Sequence, residues 1–124
     1  MTLVQVTLAL SGLGVLVTAV LSVLFLRDPI GGLATTTHRA EKLPEVMTDR
    51  YIAFTFLAIG ATLYQDLNVI AVLFGAFAFM GFADAYIYAR GGHPYKKHLA
   101  AGVAASVVVV VACMAMSTRV EGTI

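Results

Sequence analysis

Asp84 stands inside a long apolar run, and His98 opens the next one. A carboxylate and an imidazole can pass a proton between them, orient a substrate or hold a polar head group. Tyr88 follows Asp84 by one helical turn and adds a phenol on the same side. Asp49 and Arg50 put a further acid and base at the edge of another apolar stretch. Ionised groups within apolar segments are functional candidates by default, and each needs a partner. Every one of these residues also has a structural reading. Asp84 is either a proton acceptor or ligand anchor, or the structural partner of Arg50. His98 is either a general acid/base or an interfacial histidine capping its helix. Asp49 and Arg50 read best as an ion pair anchoring a helix entrance. His93, between Gly92 and Pro94, and His38 read as loop residues.

Other chemistry finds little footing. The chain has no serine–histidine–acid set, phosphate loop or haem motif, so catalytic residues remain unassigned and no cofactor is expected. His93, His98 and Asp84 have suitable ligand types, but their spacing matches no metal motif. The single cysteine, Cys113, excludes an intrachain disulfide and reads as a small buried hydrophobe in a valine-rich run.

The elements that must position these groups follow from composition. Of 124 residues, 60% are hydrophobic and only 12% charged, with a mean hydropathy of +0.90. A soluble domain carries about a quarter charged residues. The net charge of +1 points to no nucleic-acid partner. The expected fold is all-α, a four-transmembrane-helix bundle of antiparallel hairpins forming one membrane domain. A spanning helix needs roughly 20 apolar residues. Four such spans can be drawn, at 3–26, 44–65, 67–89 and 97–117. The first is preceded by no Lys or Arg, which favours a mature helix over a cleaved signal peptide. The second needs Pro44 and Glu45 as its first turn to reach spanning length. Gly91, Gly92 and Pro94 stop the third. Loop 27–43, of poor helical periodicity, reads as cytoplasmic or interfacial. No internal repeat appears.

Orientation follows from the cations. With four spans, Arg27, Arg39, Lys42, Arg50, Arg90, Lys96 and Lys97 share one side, and only Arg119 lies on the other. Positive-inside asymmetry therefore places loops 27–43 and 90–97 in the cytoplasm and both termini on the non-cytoplasmic side. Tyr51, Tyr86, Tyr88 and Tyr95 gather at the cytoplasmic level as an aromatic belt would. Asp84 precedes Arg90 by six residues, which puts it roughly 9 Å deeper at helical rise. Asp49, Arg50, Asp84 and His98 should thus meet at one depth on three helices. Stripes of small residues should allow close packing. They are His98, Ala101, Gly102 and Ala105; Ala71, Gly75, Ala78 and Ala85; and Asp49, Ala53 and Gly60. Gly81 falls on the Asp84–Tyr88 side with Phe77 and Met80.

Asp49-Arg50, Phe-Ala-Asp-Ala at 82–85 and His-Leu-Ala-Ala-Gly at 98–102 resemble the pattern of a domain-of-unknown-function family. Its members are small four-helix integral membrane proteins, mostly bacterial with some fungal, and loosely DoxX-like in architecture. The likeness covers about residues 44–112. It implies that Asp84 and His98 belong to a shared pattern, and it brings no activity with it.

Three functions are compatible with these features, and an enzyme is the least supported. The first expectation is binding of an amphipathic lipid, isoprenoid or quinone-like molecule near the cytoplasmic leaflet. Asp84, His98, Asp49, Arg50 and Tyr88 are then the ligand-binding or proton-linked candidates. The aromatic residues of FGAFAFMGF would either pack or wall the ligand. The alternatives are an accessory subunit of a larger membrane complex and a proton-coupled transporter working as a homo-oligomer. The expected location is a bacterial cytoplasmic (inner) membrane.

Overall fold

In a computed structural model, the backbone is described over residues 1–122 and the side chains over 1–119. Among the described residues the chain is helical with no strand. Its elements are α1 (Leu3–Arg27), α2 (Pro29–Thr35), a short 3-10 turn (Ala40–Lys42), α3 (Leu43–Tyr64), α4 (Leu67–Arg90) and α5 (Lys96–Gly122). Four stretches are long and apolar enough to cross a membrane: Leu3–Arg27, Ala40–Tyr64, Leu67–Arg90 and Lys96–Arg119. These helices begin and end within a few residues of the spans drawn from the sequence, except that α5 continues past 117 to Gly122. The contacts divide the chain into two compact units, Met1–Arg50 and Tyr51–Ile124.

In the first unit, Thr2 starts α1 by a capping box with Gln5: the Gln5 amide donates to Thr2 Oγ1 and the Thr2 amide to Gln5 Oε1. No residue of α1 is buried. Loop 27–43 differs from its expectation, since it contains a helix of its own. Asp28 caps α2 by accepting the Gly31 amide at 3.0 Å, and Pro29 fills the first helical position. Gly32 is buried against the Phe25 ring; a Cβ there would lie 2.9 Å from Cδ1. Thr37, at φ 61°, then turns the chain out of α2, with the His38 amide donating to the Leu33 carbonyl at 2.8 Å.

The second unit is organised around the α4–α5 hairpin. α4 begins at Asp66, whose carboxylate accepts the Asn68 and Val69 amides. It ends in a Schellman motif: Gly92 sits at φ +75°, its amide donates to Ala89 and the His93 amide to Tyr88. That motif reverses the chain into α5. The two helices meet through a seam of small residues, with Ala78, Gly81 and Ala85 buried on α4 and Gly102, Ala105 and Ala112 on α5. The spacings of three, four and seven keep one narrow face of each helix in contact. A Cβ on Gly81 would fall 2.6 Å from the Gly102 nitrogen and 2.8 Å from its Cα, so backbone meets backbone at this point. Gly81 therefore belongs with Ala78 and Ala85 rather than with Phe77 and Met80. Ala101, expected on the contact stripe, is exposed.

The part of α3 within this unit joins α4 through rings. Tyr51, Phe54, Phe77 and Phe74 form a chain with centroid separations of 5.8, 5.5 and 5.3 Å. Ala61 is its buried position, whereas Ala53 and Gly60 of the expected stripe are exposed. Gln65, at φ 62°, ends α3 one residue before the expected boundary.

Candidate functional site

The candidate site lies at the Gly91–Gly92 end of the α4–α5 hairpin. Asp84 and His98 face each other across it, with His98 Nδ1 3.8 Å from Asp84 Oδ2. That distance is longer than a hydrogen bond, and the contact is an ion pair only when the imidazole carries a second proton. The side chains are 46% and 36% exposed respectively, so each is half enclosed and half open. Tyr88, one turn beyond Asp84, lays its ring on the imidazole of His98, with centroids 4.8 Å apart and planes 19° from parallel. The other edge of Tyr88 meets His93 at 6.3 Å in a T-shaped contact. Tyr88 and His93 are the third position from the end of α4 and the second beyond its cap, the pair that touches in a Schellman motif. The helix ending thus fixes Tyr88, and Tyr88 fixes the plane of His98.

The seam supports the same residues from below. The His98 carbonyl lies 3.1 Å from where a Gly81 Cβ would stand, and Phe82 lies over Gly102, 2.8 Å from the Cβ position there. His98 and Gly102 are one turn apart, as are Gly81 and Asp84. This backbone-to-backbone approach of the helices therefore sits one turn from each member of the polar pair. Arg90 stands over the Tyr86 ring at 5.7 Å, at the hairpin tip.

Three of the expected site residues, Asp84, His98 and Tyr88, are brought together. Asp49 and Arg50 lie on the early turns of α3, in the first unit, and both are exposed. The ion pair formed at that helix entrance is Lys42–Glu45, at 3.3 Å, rather than Asp49–Arg50. Adjacent residues on a helix diverge by about 100° and do not face each other, whereas i and i+3 do. His38 is a loop residue held by Thr36, whose hydroxyl lies 2.8 Å from its Nδ1. Cys113 is exposed, although its valine-rich apolar surroundings predict a buried position. Among the described residues no three His, Cys, Asp or Glu side chains group closely enough for a metal ion.

The aromatic residues of α4 divide by role. Phe77 packs between Phe54 and Phe74, and Phe82 covers Gly102, while Phe79 faces outward. The stacking of Tyr88 on His98 required the α4–α5 register, which their separate helical patterns do not contain. Surface grooves of this unit lie along α3 and at the α3–α4 turn beside the end of α5, away from the pair. With Asp84 and His98 both partly exposed, a molecule at the pair would lie against the helix surface.

Among the described residues, four helices are long and apolar enough to cross a membrane and a partly open acid–histidine pair lies between two of them, features that fit an all-helical integral membrane protein. No family model, curated protein or solved structure matches this chain.

Proposed function

We propose that this protein binds an amphipathic molecule in the membrane, a lipid, isoprenoid or quinone-like compound, with its polar head at Asp84 and His98. The observation that carries the reading is the half-exposure of the pair. A polar pair serving only to join α4 to α5 would be enclosed by them. The small-residue seam already joins those helices at backbone contact, and the pair leaves its open sides to whatever surrounds the hairpin. An exposed charge within an apolar helix is costly in hydrocarbon, and a bound polar head offsets that cost. Tyr88 closes one face of the imidazole and leaves an edge for the head, while the apolar helix surface takes the tail.

The location that goes with this reading is a bacterial cytoplasmic membrane, with loops 27–43 and 90–97 in the cytoplasm. Kinship with the small DoxX-like four-helix proteins belongs to the same proposal. The test is native mass spectrometry after gentle extraction. Asp84→Asn and His98→Ala should each lose most of the co-purifying amphiphile while retaining helical circular dichroism. If both keep the wild-type complement, the reading fails.

A second reading, an accessory subunit or homo-oligomer, is favoured by Gly12, Gly14 and Gly60, where an added Cβ would meet nothing within 4 Å. Glycines on helix surfaces suit close approach by another helix. Gly60→Leu should leave the isolated chain folded and lower its co-migration with a partner in native mass spectra. Unchanged co-migration counts against that face.

A further inference from the structure

We infer that the head group held at Asp84–His98 is an uncharged hydroxyl, as in a long-chain alcohol or a quinol, and not a phosphate or carboxylate. The inference rests on the amphiphile-binding reading above and names the head which that reading leaves open.

It follows from which atoms of the pair face each other. His98 turns Nδ1, not Nε2, toward the Asp84 carboxylate. A neutral imidazole beside a carboxylate is favoured electrostatically with its N–H on the near nitrogen, which leaves Nε2 as an acceptor. When the imidazole is protonated, Nε2 becomes a donor. A hydroxyl both donates and accepts, so it satisfies Nε2 in either state. A carboxylate, and a phosphate monoester in the dianionic form that predominates at neutral pH, has no proton to give, so it satisfies only the cationic state. It would also stand beside the negative charge of Asp84, and like charges a few ångströms apart repel strongly where water is scarce.

The distribution of the cations agrees. Arg90, Lys96 and Lys97 gather at the hairpin tip, and the Arg90 guanidinium is turned onto the Tyr86 ring. Asp84 precedes Arg90 by six residues, roughly 9 Å along the helix. Anionic heads are attracted to the tip, whereas at the level of the pair the carboxylate excludes them. Tyr88 stacks over the imidazole and closes that face, and a hydrogen bond to Nε2 is made in the ring plane, at the ring's edge. Those two requirements, a small neutral head and an edge-on approach, suit a primary alcohol or a phenolic hydroxyl.

The test compares two probes with the same tail, geranylgeraniol and geranylgeranyl monophosphate, added to the full chain in phosphatidylcholine nanodiscs at neutral pH. Retention is read by native mass spectrometry. The alcohol should be retained at least tenfold more strongly than the phosphate, and Asp84→Asn should narrow that ratio severalfold by removing the excluding charge. Equal retention, or preference for the phosphate, overturns the hydroxyl inference and leaves amphiphile binding standing. Failure of the wild type to retain either probe overturns the hydroxyl inference, and if no native amphiphile co-purifies with it either, the binding reading falls as well. The wild-type comparison needs no variant, so it stands even if Asp84→Asn fails to fold.

Discussion

Gly81→Val is expected to separate α4 from α5, lower the stability of the hairpin and disconnect Asp84 from His98. The reason is the composition of the contact. The first atom of any side chain at position 81 falls 2.6 Å from the Gly102 nitrogen and 2.8 Å from its Cα, and 3.1 Å from the His98 carbonyl oxygen. All three are backbone atoms of a continuous helix and cannot rotate away as a side chain would. The helices must move apart, which opens the seam at Ala78, Ala85, Gly102 and Ala105 together. Overpacking of this kind costs on the order of 3 kcal/mol, the upper part of its usual range, because no rotamer relieves it. Gly75→Ala, on the same helix, is the control: nothing lies within 4 Å of its added methyl. That change should be neutral or stabilising by up to about 1 kcal/mol through helix propensity. Reversible unfolding in mixed micelles, followed by circular dichroism, compares the two. Equal effects at the two positions would contradict the backbone contact. Loss of amphiphile in Gly81→Val at temperatures where it remains folded would show that the seam sets the 3.8 Å separation of the polar pair.

The spans were legible because apolar length and breakers are local properties. Asp28-Pro29 and Gly91-Gly92 mark ends that the backbone then uses as caps and turns. The pairing of Asp84 with His98 was legible only as shared depth, which connection length and helical rise supply. The rotation of each helix was not. Gly81 lies on the seam with Ala78 and Ala85, although its spacing also fits the side of Phe77, because small residues on adjacent stripes give no clear moment. Tyr88 stacks on His98 through the combined action of the Gly92 turn and that rotation. Asp49-Arg50 looked like a pair only because the two are adjacent in the chain, and helical geometry pairs Lys42 with Glu45 instead. The short α2 was hidden for a different reason. Its seven residues carry too few turns for periodicity, and its signal is the cap at Asp28.

Labelling of single cysteines should give a nearly all-or-none pattern across the membrane. In a Cys113→Ser background, Asn68→Cys should react with a membrane-impermeant maleimide in intact cells. Thr35→Cys and His93→Cys should react only after permeabilisation. The pattern follows from the proposed topology, in which Arg27, Arg39, Lys42, Arg50, Arg90, Lys96 and Lys97 stay on the cytoplasmic side and Arg119 crosses. Thr35, Asn68 and His93 are exposed, and none of the three substitutions changes a Lys or Arg. The vulnerable element is α3, the least apolar of the four candidate spans, which carries Glu45, Asp49 and Arg50 in its first turns. If α3 lay along the surface, Thr35 and Asn68 would label from the same side, and α4 would cross in the opposite sense to the one proposed. A complete reversal, with Thr35 and His93 labelled in intact cells, would keep four spans and move Asp84–His98 to the outer leaflet. The pair lies within about two turns of the hairpin tip, so the side that holds the tip decides which leaflet would supply the proposed amphiphile. Sidedness therefore tests more than orientation: a ligand made in the cytoplasmic leaflet can reach the pair directly only if His93 is shielded in intact cells.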